Sequence, residues 1–150
     1  MILGLAEDMA EYCLVFPTPR QGNHALWILG HLAHGEGTLI HQWAFGQANP
    51  LGEWKSVFDS GTQPVASLDV YPDFDQVMQN CESIRTQSCE MLQRLAESDL
   101  DRPSRGVPDV YRPFFRSVRD CFNMNALHWL EHKGQLADAR RAAGLSVKFA

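Results

Sequence analysis

Apolar side chains recur at steps of three and four residues along much of the chain, which is the spacing of helices that bury one face. The clearest helix is predicted over about residues 74–97, where the apolar positions are Phe74, Val77, Met78, Cys81, Ile84, Met91, Leu92 and Leu95. A shorter helix is predicted over about residues 2–15. It ends before Pro17 and Pro19, because proline lacks the amide hydrogen that a helix interior requires.

Two further helices complete the pattern. One begins with Asn23, a favourable N-cap residue, and continues to about residue 45. The other spans about residues 117–143 and is expected to stop at Gly144, a natural residue for a helix end. The only strand candidate, residues 63–71, is short and contains a proline. The pattern therefore predicts an all-α fold, a four-helix bundle with two long connecting loops over about residues 46–72 and 99–116.

Length and composition are those of an ordinary globular protein. The 150 residues, 45% hydrophobic and 21% charged, are enough for a single domain, predicted to span residues 1–150. No apolar run approaches the roughly 18 residues of a membrane span, and the acidic first turns are unlike a signal peptide. The four cysteines form no CxxC pair, so free thiols in a cytoplasmic protein are expected.

Charge is spread unevenly along the chain, whose net charge is −5. Residues 1–100 contain 13 acidic and 4 basic side chains, whereas residues 101–150 contain 5 acidic and 9 basic ones. Much of the basic excess lies ahead of the last helix, at Arg102, Arg105, Arg112, Arg116 and Arg119. Because a nucleic-acid-binding protein usually has an overall basic balance, nucleic acid is not an expected partner. The arginines are either solvated surface or a site for a small anion.

Two histidines on the last helix raise the question of a metal site. His128 and His132 lie about 40° apart on the helical wheel, in a sector without charged residues. Side chains at this spacing are about 6 Å apart and can reach one cation. Buried imidazoles can instead be satisfied by hydrogen bonds to neighbours such as Asn125 or Gln135. Because HxxxH is common without metal, the spacing alone leaves both interpretations open.

The second helix contains the other histidines. His24, His31, His34 and His41 share a sector of about 100° on its wheel. Among those in mid-helix, His31 lies nearest the apolar face, whereas the next two turn further outward. If the two helices are neighbours, His31 completes a set of three. Glu36 also turns towards the apolar side, where it needs either a ligand histidine or an arginine of the long loop as a partner.

The segments "GNHALWILGHLAHGE" and "HWLEHKGQLADARRAAG" resemble the DinB/YfiT-like superfamily of metalloenzyme-like proteins. In that family a W…GHLxxxE segment in helix two provides one histidine, and an HxxxH-[RK]-GQ segment in the last helix provides two more. The resemblance implies metal ligands at His31, His128 and His132. The surrounding matches, which include candidate pocket or supporting residues, are Trp27, Gly30, Glu36, Lys133, Gly134, Gln135 and Arg141. The N-terminal helix is shorter than in the family.

The resemblance also implies a chemistry. Three neutral histidines with an open fourth position are typical of a catalytic zinc site, and nickel also favours imidazole. Related proteins include S-transferases and isomerases that use low-molecular-weight thiols, so a metal-dependent thiol S-transferase or hydrolase acting on a small molecule is expected. Such thiols carry carboxylates, which Arg112 and Arg116 could bind through their guanidinium groups. Relatives often form homodimers, and no catalytic base is identified.

The sequence is also compatible with a different class of function. A metal-binding or stress-linked bundle without catalysis could act through a partner or as a small-molecule sensor. An enzyme should have a cleft at the metal, lined by loop residues such as Trp54, Tyr111 and Arg116, whereas a binding module could seal the metal beneath packed side chains. The simplest alternative is a bundle without metal, in which the histidines are satisfied core residues.

Overall fold

The computed structural model describes residues 2–19, 22–146 and 148. Its α-helices are α1 (Ile2–Ala6), α2 (Ala25–Glu36), α3 (Lys55–Phe58), α4 (Phe74–Gln93) and α5 (Val118–Ala142). A π-helix over Gly37–Ala44 continues α2, and 3-10 turns cover Ala10–Tyr12, Gly52–Trp54, Leu68–Val70 and Glu97–Asp99. Within the described ranges there is no strand. The predicted all-α fold is confirmed, with α1, α2, α4 and α5 forming the bundle and the four-residue α3 lying in the first connection.

Helix α2 is the central element, packed against both α4 and α5. Its N-cap is His24, not the predicted Asn23, because the chain is still extended at His24 and its Nδ1 accepts the Trp27 amide at 3.2 Å. The histidines predicted to turn outward are also inside, since His34 is 4% and His41 6% exposed. A helix enclosed on all sides has no polar face, so its wheel cannot indicate which side meets solvent.

Helix α1 is shorter than predicted and ends at Ala6 rather than near residue 15. The reason is Arg140, which is 1% exposed and donates from Nη1 to the carbonyl oxygen of Leu5 at 2.6 Å. Met9 N then donates to Ala6 O at 2.9 Å, a tighter turn than an α-helix allows. Arg140 also pairs with Asp8, whose pKa this contact holds far below its usual range. An ion pair between the buried Arg140 and the half-exposed Asp8 thus takes the place of the second turn of the helix.

The ends of the two later helices agree more closely with the sequence. Ser117 caps α5, because its side chain accepts the Asp120 amide at 3.2 Å. Gly144 follows the helix at φ +74, a left-handed conformation that favours glycine, as predicted. Helix α4 ends at Gln93, four residues early, because the chain turns there into the 3-10 segment Glu97–Asp99. No helix within the described ranges combines the length and apolar character that crossing a bilayer requires.

The second long connection is fastened to the π-helix. The amides of Arg105 and Gly106 both donate to the carbonyl oxygen of Trp43, at 2.9 and 3.1 Å. The close approach requires glycine at position 106, where a Cβ would lie 2.0 Å from the carbonyl oxygen of Gln42. This anchor brings Tyr111 and Phe115 of the connection against the Trp43 ring.

Candidate metal centre

Helices α2 and α5 bring three histidines together. One nitrogen from each of His31, His128 and His132 lies within 4.8 Å of the others. The Nε2 atoms of His31 and His128 are 2.9 Å apart, and the three ring centroids are separated by 4.7 to 4.9 Å. The two helices are therefore neighbours, which was the condition for His31 to complete the set. Three imidazoles from two rigid helices form a group that could bind one metal ion.

The position of His31 is fixed from both sides. Its Nδ1 lies 2.7 Å from the carbonyl oxygen of Phe58, which can only accept a hydrogen bond. Nδ1 therefore carries the hydrogen, and Nε2 presents its lone pair to the other histidines. The Trp27 ring stacks on the imidazole, with centroids 4.5 Å apart and planes inclined by 10°. Trp27 Nε1 in turn donates to Thr62 Oγ1 at 3.1 Å, which fixes the indole. The predicted pocket residue Trp27 therefore holds the His31 imidazole in place by stacking on it.

His132 is oriented by the predicted supporting residue Gln135. Its Nδ1 lies 3.0 Å from Gln135 Oε1, which also accepts a hydrogen bond from Asn23 Nδ2 at 2.8 Å. The amide oxygen is an acceptor, so the hydrogen of His132 is on Nδ1 and its lone pair on Nε2. This arrangement joins the start of α2 to the middle of α5 through the site.

His128 completes the group and fits closely against α2. A Cβ at Gly35 would lie 3.0 Å from His128 Cε1, so a larger residue there would displace the ring. Burial, with His31 and His132 nearby, lowers the pKa of His128 to about 3. Burial also lowers the pKa of the other two. All three imidazoles are consequently neutral near pH 7 and fit the requirements of a divalent cation that prefers nitrogen ligands.

A cavity of about 480 Å³ opens onto this group. His31 and His128 line it, and further lining comes from both long connections, including Lys55, Asp59, Tyr111 and Phe115. The volume is within the range of small-molecule sites. Of the loop residues expected at such a cleft, Tyr111 is present, whereas Trp54 is 6% exposed in the core and neither it nor Arg116 is part of the lining. His31 and His128 are therefore not sealed beneath packed side chains, whereas His132 lies outside the lining.

Glu36, the last residue of α2, pairs with an arginine. Its side chain is fully buried, and Oε2 is 3.2 Å from Nη2 of Arg85 in α4. The partner is a helix residue and not, as one interpretation of the sequence had it, an arginine of the long loop. Burial raises the pKa of Glu36, while Arg85 opposes that shift. Arg85 also lies over the Trp129 ring, 4.1 Å from its centroid.

The two arginines predicted to bind substrate lie outside the cavity lining. Arg112 is exposed, and its Nε is 3.2 Å from Asp109 Oδ1. Arg116 is exposed as well, and its backbone amide donates to Asp120 at 3.0 Å. The residues of this connection that line the cavity are instead Pro108, Tyr111 and Phe115.

Comparison with known proteins agrees with this geometry. The chain matches the family model of the DinB superfamily over residues 1–136. The chain belongs to the DinB superfamily. The matched range contains all three histidines of the cluster, so the resemblance inferred from the "GHLAHGE" and "HWLEHKGQ" segments is confirmed. No curated protein and no solved structure matches the chain.

Membership of the DinB superfamily does not by itself point to two residues that the structure adds to the site. His34 lines the cavity one helical turn after His31, with Nδ1 3.9 Å from Asp59 Oδ1. Lys55 lines it from α3. The sequence contains a signal for His34, which is i+3 from His31 and so on a neighbouring face. It contains none for Lys55, whose place depends on the path of a long connection.

Proposed function

We propose that this DinB-superfamily protein is a metal-dependent enzyme that acts on a small molecule, either as a thiol S-transferase or as a hydrolase. The observation that carries the proposal is the cavity of about 480 Å³ that opens onto His31 and His128. Catalytic metal sites keep a position open for substrate, whereas structural sites are closed by protein ligands. A non-catalytic bundle that acts through a protein partner would not need this opening, whereas a small-molecule sensor would, and measured turnover distinguishes a sensor from an enzyme.

The metal would be held by His31, His128 and His132, with zinc or nickel as the ion that three neutral imidazoles favour. When bound, such an ion supplies Lewis acidity that lowers the pKa of a thiol or water molecule in its vicinity. The protein's own contribution is orientation. Phe58 and Gln135 hold the Nδ1 hydrogens of His31 and His132, so that the Nε2 lone pair of each would be free to bind the ion.

His34 is the side chain best placed to take up a proton in the cavity. Burial lowers its pKa, so it is neutral near pH 7, and the Asp59 carboxylate at 3.9 Å opposes that shift and stabilises the protonated form. In the transferase version, the thiol S–H proton passes to His34, a C–S bond forms on the electrophile, and the bond to its leaving group breaks. The low-molecular-weight thiol is then a co-substrate that enters through the cavity.

The experiment measures metal-dependent consumption of a chlorinated nitrobenzene in the presence of cellular thiols. Formation of the coloured thiol conjugate is the readout. The proposal predicts turnover by the zinc- or nickel-loaded protein and its loss in His128→Ala. His41→Gln is the matched control, because it removes a buried histidine that lies outside the three-histidine group. Hydrolysis of aryl esters by the same samples tests the second version. Absence of turnover in both assays, from fully metal-loaded protein, would contradict the enzyme proposal and leave a binding protein.

A further inference from the structure

The cavity beside the histidine cluster has an aromatic wall. The Trp43 and Tyr111 rings stack with centroids 5.3 Å apart, and Phe115 meets Trp43 edge to face at 4.8 Å. All three line the cavity, although they come from the π-helix and from the second connection. Tyr111 remains 47% exposed, which leaves a large part of its ring without a protein partner. A flat apolar ligand would bury this surface and gain the contacts that aromatic pairs prefer.

The same cavity contains an unpaired cation. Lys55 lines it, and within the described part of the chain its ammonium group forms no ion pair. Asp59, four residues later, is already in contact with other groups, because its Oδ1 accepts the Ser60 amide at 2.9 Å and faces His34. By contrast Arg112, which the sequence suggested as an anion site, is paired with Asp109 outside the cavity. Among the side chains that line the cavity, Lys55 is therefore the one that supplies a permanent positive charge for a ligand.

We infer that the cavity binds an aromatic carboxylate, whose ring packs on Tyr111 and Trp43 and whose carboxylate pairs with Lys55. The inference rests on the proposed function, since it names the substrate class of the same site. It also assigns recognition of the ligand's carboxylate to Lys55, and not to Arg112 and Arg116 as the sequence suggested. A lysine provides a mobile point charge without the fixed fork of arginine, so it suits a carboxylate on ligands of somewhat different length.

The test is isothermal titration calorimetry with three probes, carried out on both the metal-free and the zinc-loaded full-length protein. The probes are 2-naphthoate, the neutral 2-naphthylmethanol, and acetate, which has the charge without the ring. The inference predicts that 2-naphthoate binds more tightly than either of the others. Lys55→Met should weaken naphthoate binding about tenfold, the effect of losing one charged hydrogen bond, and leave naphthylmethanol within twofold.

Two further variants locate the ligand. Tyr111→Leu should weaken both naphthyl probes several-fold, because it removes part of the aromatic wall that they share. Arg116→Met is the matched control, since it removes an exposed cation outside the cavity lining and should change nothing. Weaker naphthoate binding by Arg116→Met, with unchanged binding by Lys55→Met, would contradict the inference. It would show that an arginine of the loop binds the carboxylate. Failure of both naphthyl probes to bind at millimolar concentration would contradict it as well.

The design separates this inference from the proposed function. If naphthoate preference survives in Lys55→Met but disappears when zinc is removed, the carboxylate is bound by the metal and the inference is wrong while the metal site stands. If the protein takes up no zinc but still binds naphthoate through Lys55, the metal-dependent function fails while the ligand class stands.

Discussion

The Nδ1 atom of His132 lies 3.0 Å from Oε1 of Gln135, one turn further along α5. This contact selects the tautomer that leaves Nε2 of His132 free, and the Asn23 amide at 2.8 Å holds Gln135 in place. A glutamine three residues after a histidine thus orients a candidate metal ligand. The hydrogen bond gives a physical role to the glutamine of the "HKGQ" segment.

Gln135→Leu should weaken zinc binding, because His132 loses the acceptor for its Nδ1 hydrogen. Loss of such a supporting partner typically costs about 10–100-fold in metal affinity. Gln135→Glu, which keeps an acceptor at the same position, should stay close to the wild type. Competition with a chromogenic chelator measures all three affinities. Equal zinc affinity in Gln135→Leu and the wild type would show that Gln135 does not orient the ligand.

Two glycines should respond in opposite ways to alanine. A Cβ at Gly30 would lie 2.2 Å from Cε1 of Phe58, whose carbonyl oxygen holds His31, whereas a Cβ at Gly134 meets nothing within 4 Å. Gly30→Ala should lower the free energy of unfolding by about 1–3 kcal/mol through overpacking. Gly134→Ala, in the middle of a helix, should raise it by about 0.5–1 kcal/mol. Urea unfolding measures both, and a neutral Gly30→Ala would contradict the close packing of Phe58 on α2.

Arg85→Met should lower the free energy of unfolding, because it leaves the buried Glu36 carboxylate without its partner. Breaking a fully buried ion pair costs about 3–5 kcal/mol of stability. Because Arg85 is one-third exposed, the loss of stability at pH 7 should be smaller, about 2–3 kcal/mol. The loss should shrink as the pH is lowered, because without Arg85 the pKa of Glu36 rises further and the folded protein takes up a proton more readily.

The control for this prediction is the same substitution in a Glu36→Gln background, where no charge remains to be compensated. There, Arg85→Met should cost much less, since only its packing on Trp129 is lost. Urea unfolding of the four proteins at two pH values forms a double-mutant cycle. Equal losses in both backgrounds, or a loss independent of pH, would show that the ion pair does not contribute.

The metal-free protein should lose stability steeply in mild acid. Burial lowers the pKa of all six histidines, that of His128 to about 3, from an ordinary value of 6.5. A histidine whose pKa is depressed in the folded state stabilises the protein above about pH 6.5, and that stabilisation is lost as the pH falls towards the folded value. Each such group contributes a slope of up to about 1.4 kcal/mol per pH unit. Glu36 acts in the opposite direction, but it is one group against six.

Urea midpoints measured from about pH 7.5 to pH 5 test this slope. His41→Gln should reduce the slope of stability against pH by the contribution of one histidine, because His41 is buried and lies outside the three-histidine group. A flat profile for the wild type would contradict the burial of the histidines.

Much of the fold could be predicted because α4 and α5 each present one apolar face and one polar face. The i, i+4 spacing of His128 and His132 placed both on the buried side of α5, and their nearness to His31 followed once α2 and α5 were neighbours. These inferences are local, and they depend on helical geometry alone.

Other features depend on contacts between distant parts of the chain. Arg140 lies near the end of a helix, where an exposed cation would be ordinary, yet it is buried and bonded to Leu5 and Asp8, more than 130 residues earlier. His34 could not be assigned inward, because a helix surrounded by the rest of the protein has no polar face. Lys55 reaches the cavity only because of the path of the first connection. The cytoplasmic location, the thiol co-substrate and the homodimer stay predictions.

The most direct test of the metal centre is elemental mass spectrometry of protein purified without a histidine tag or chelator. The account predicts about one equivalent of zinc or nickel per chain, lost in His31→Ala and His132→Ala and retained in His41→Gln. The histidines are then ligands, and their neutral, pre-oriented rings have a function. No metal in the wild type after incubation with zinc or nickel, or equal metal in all four proteins, would contradict it.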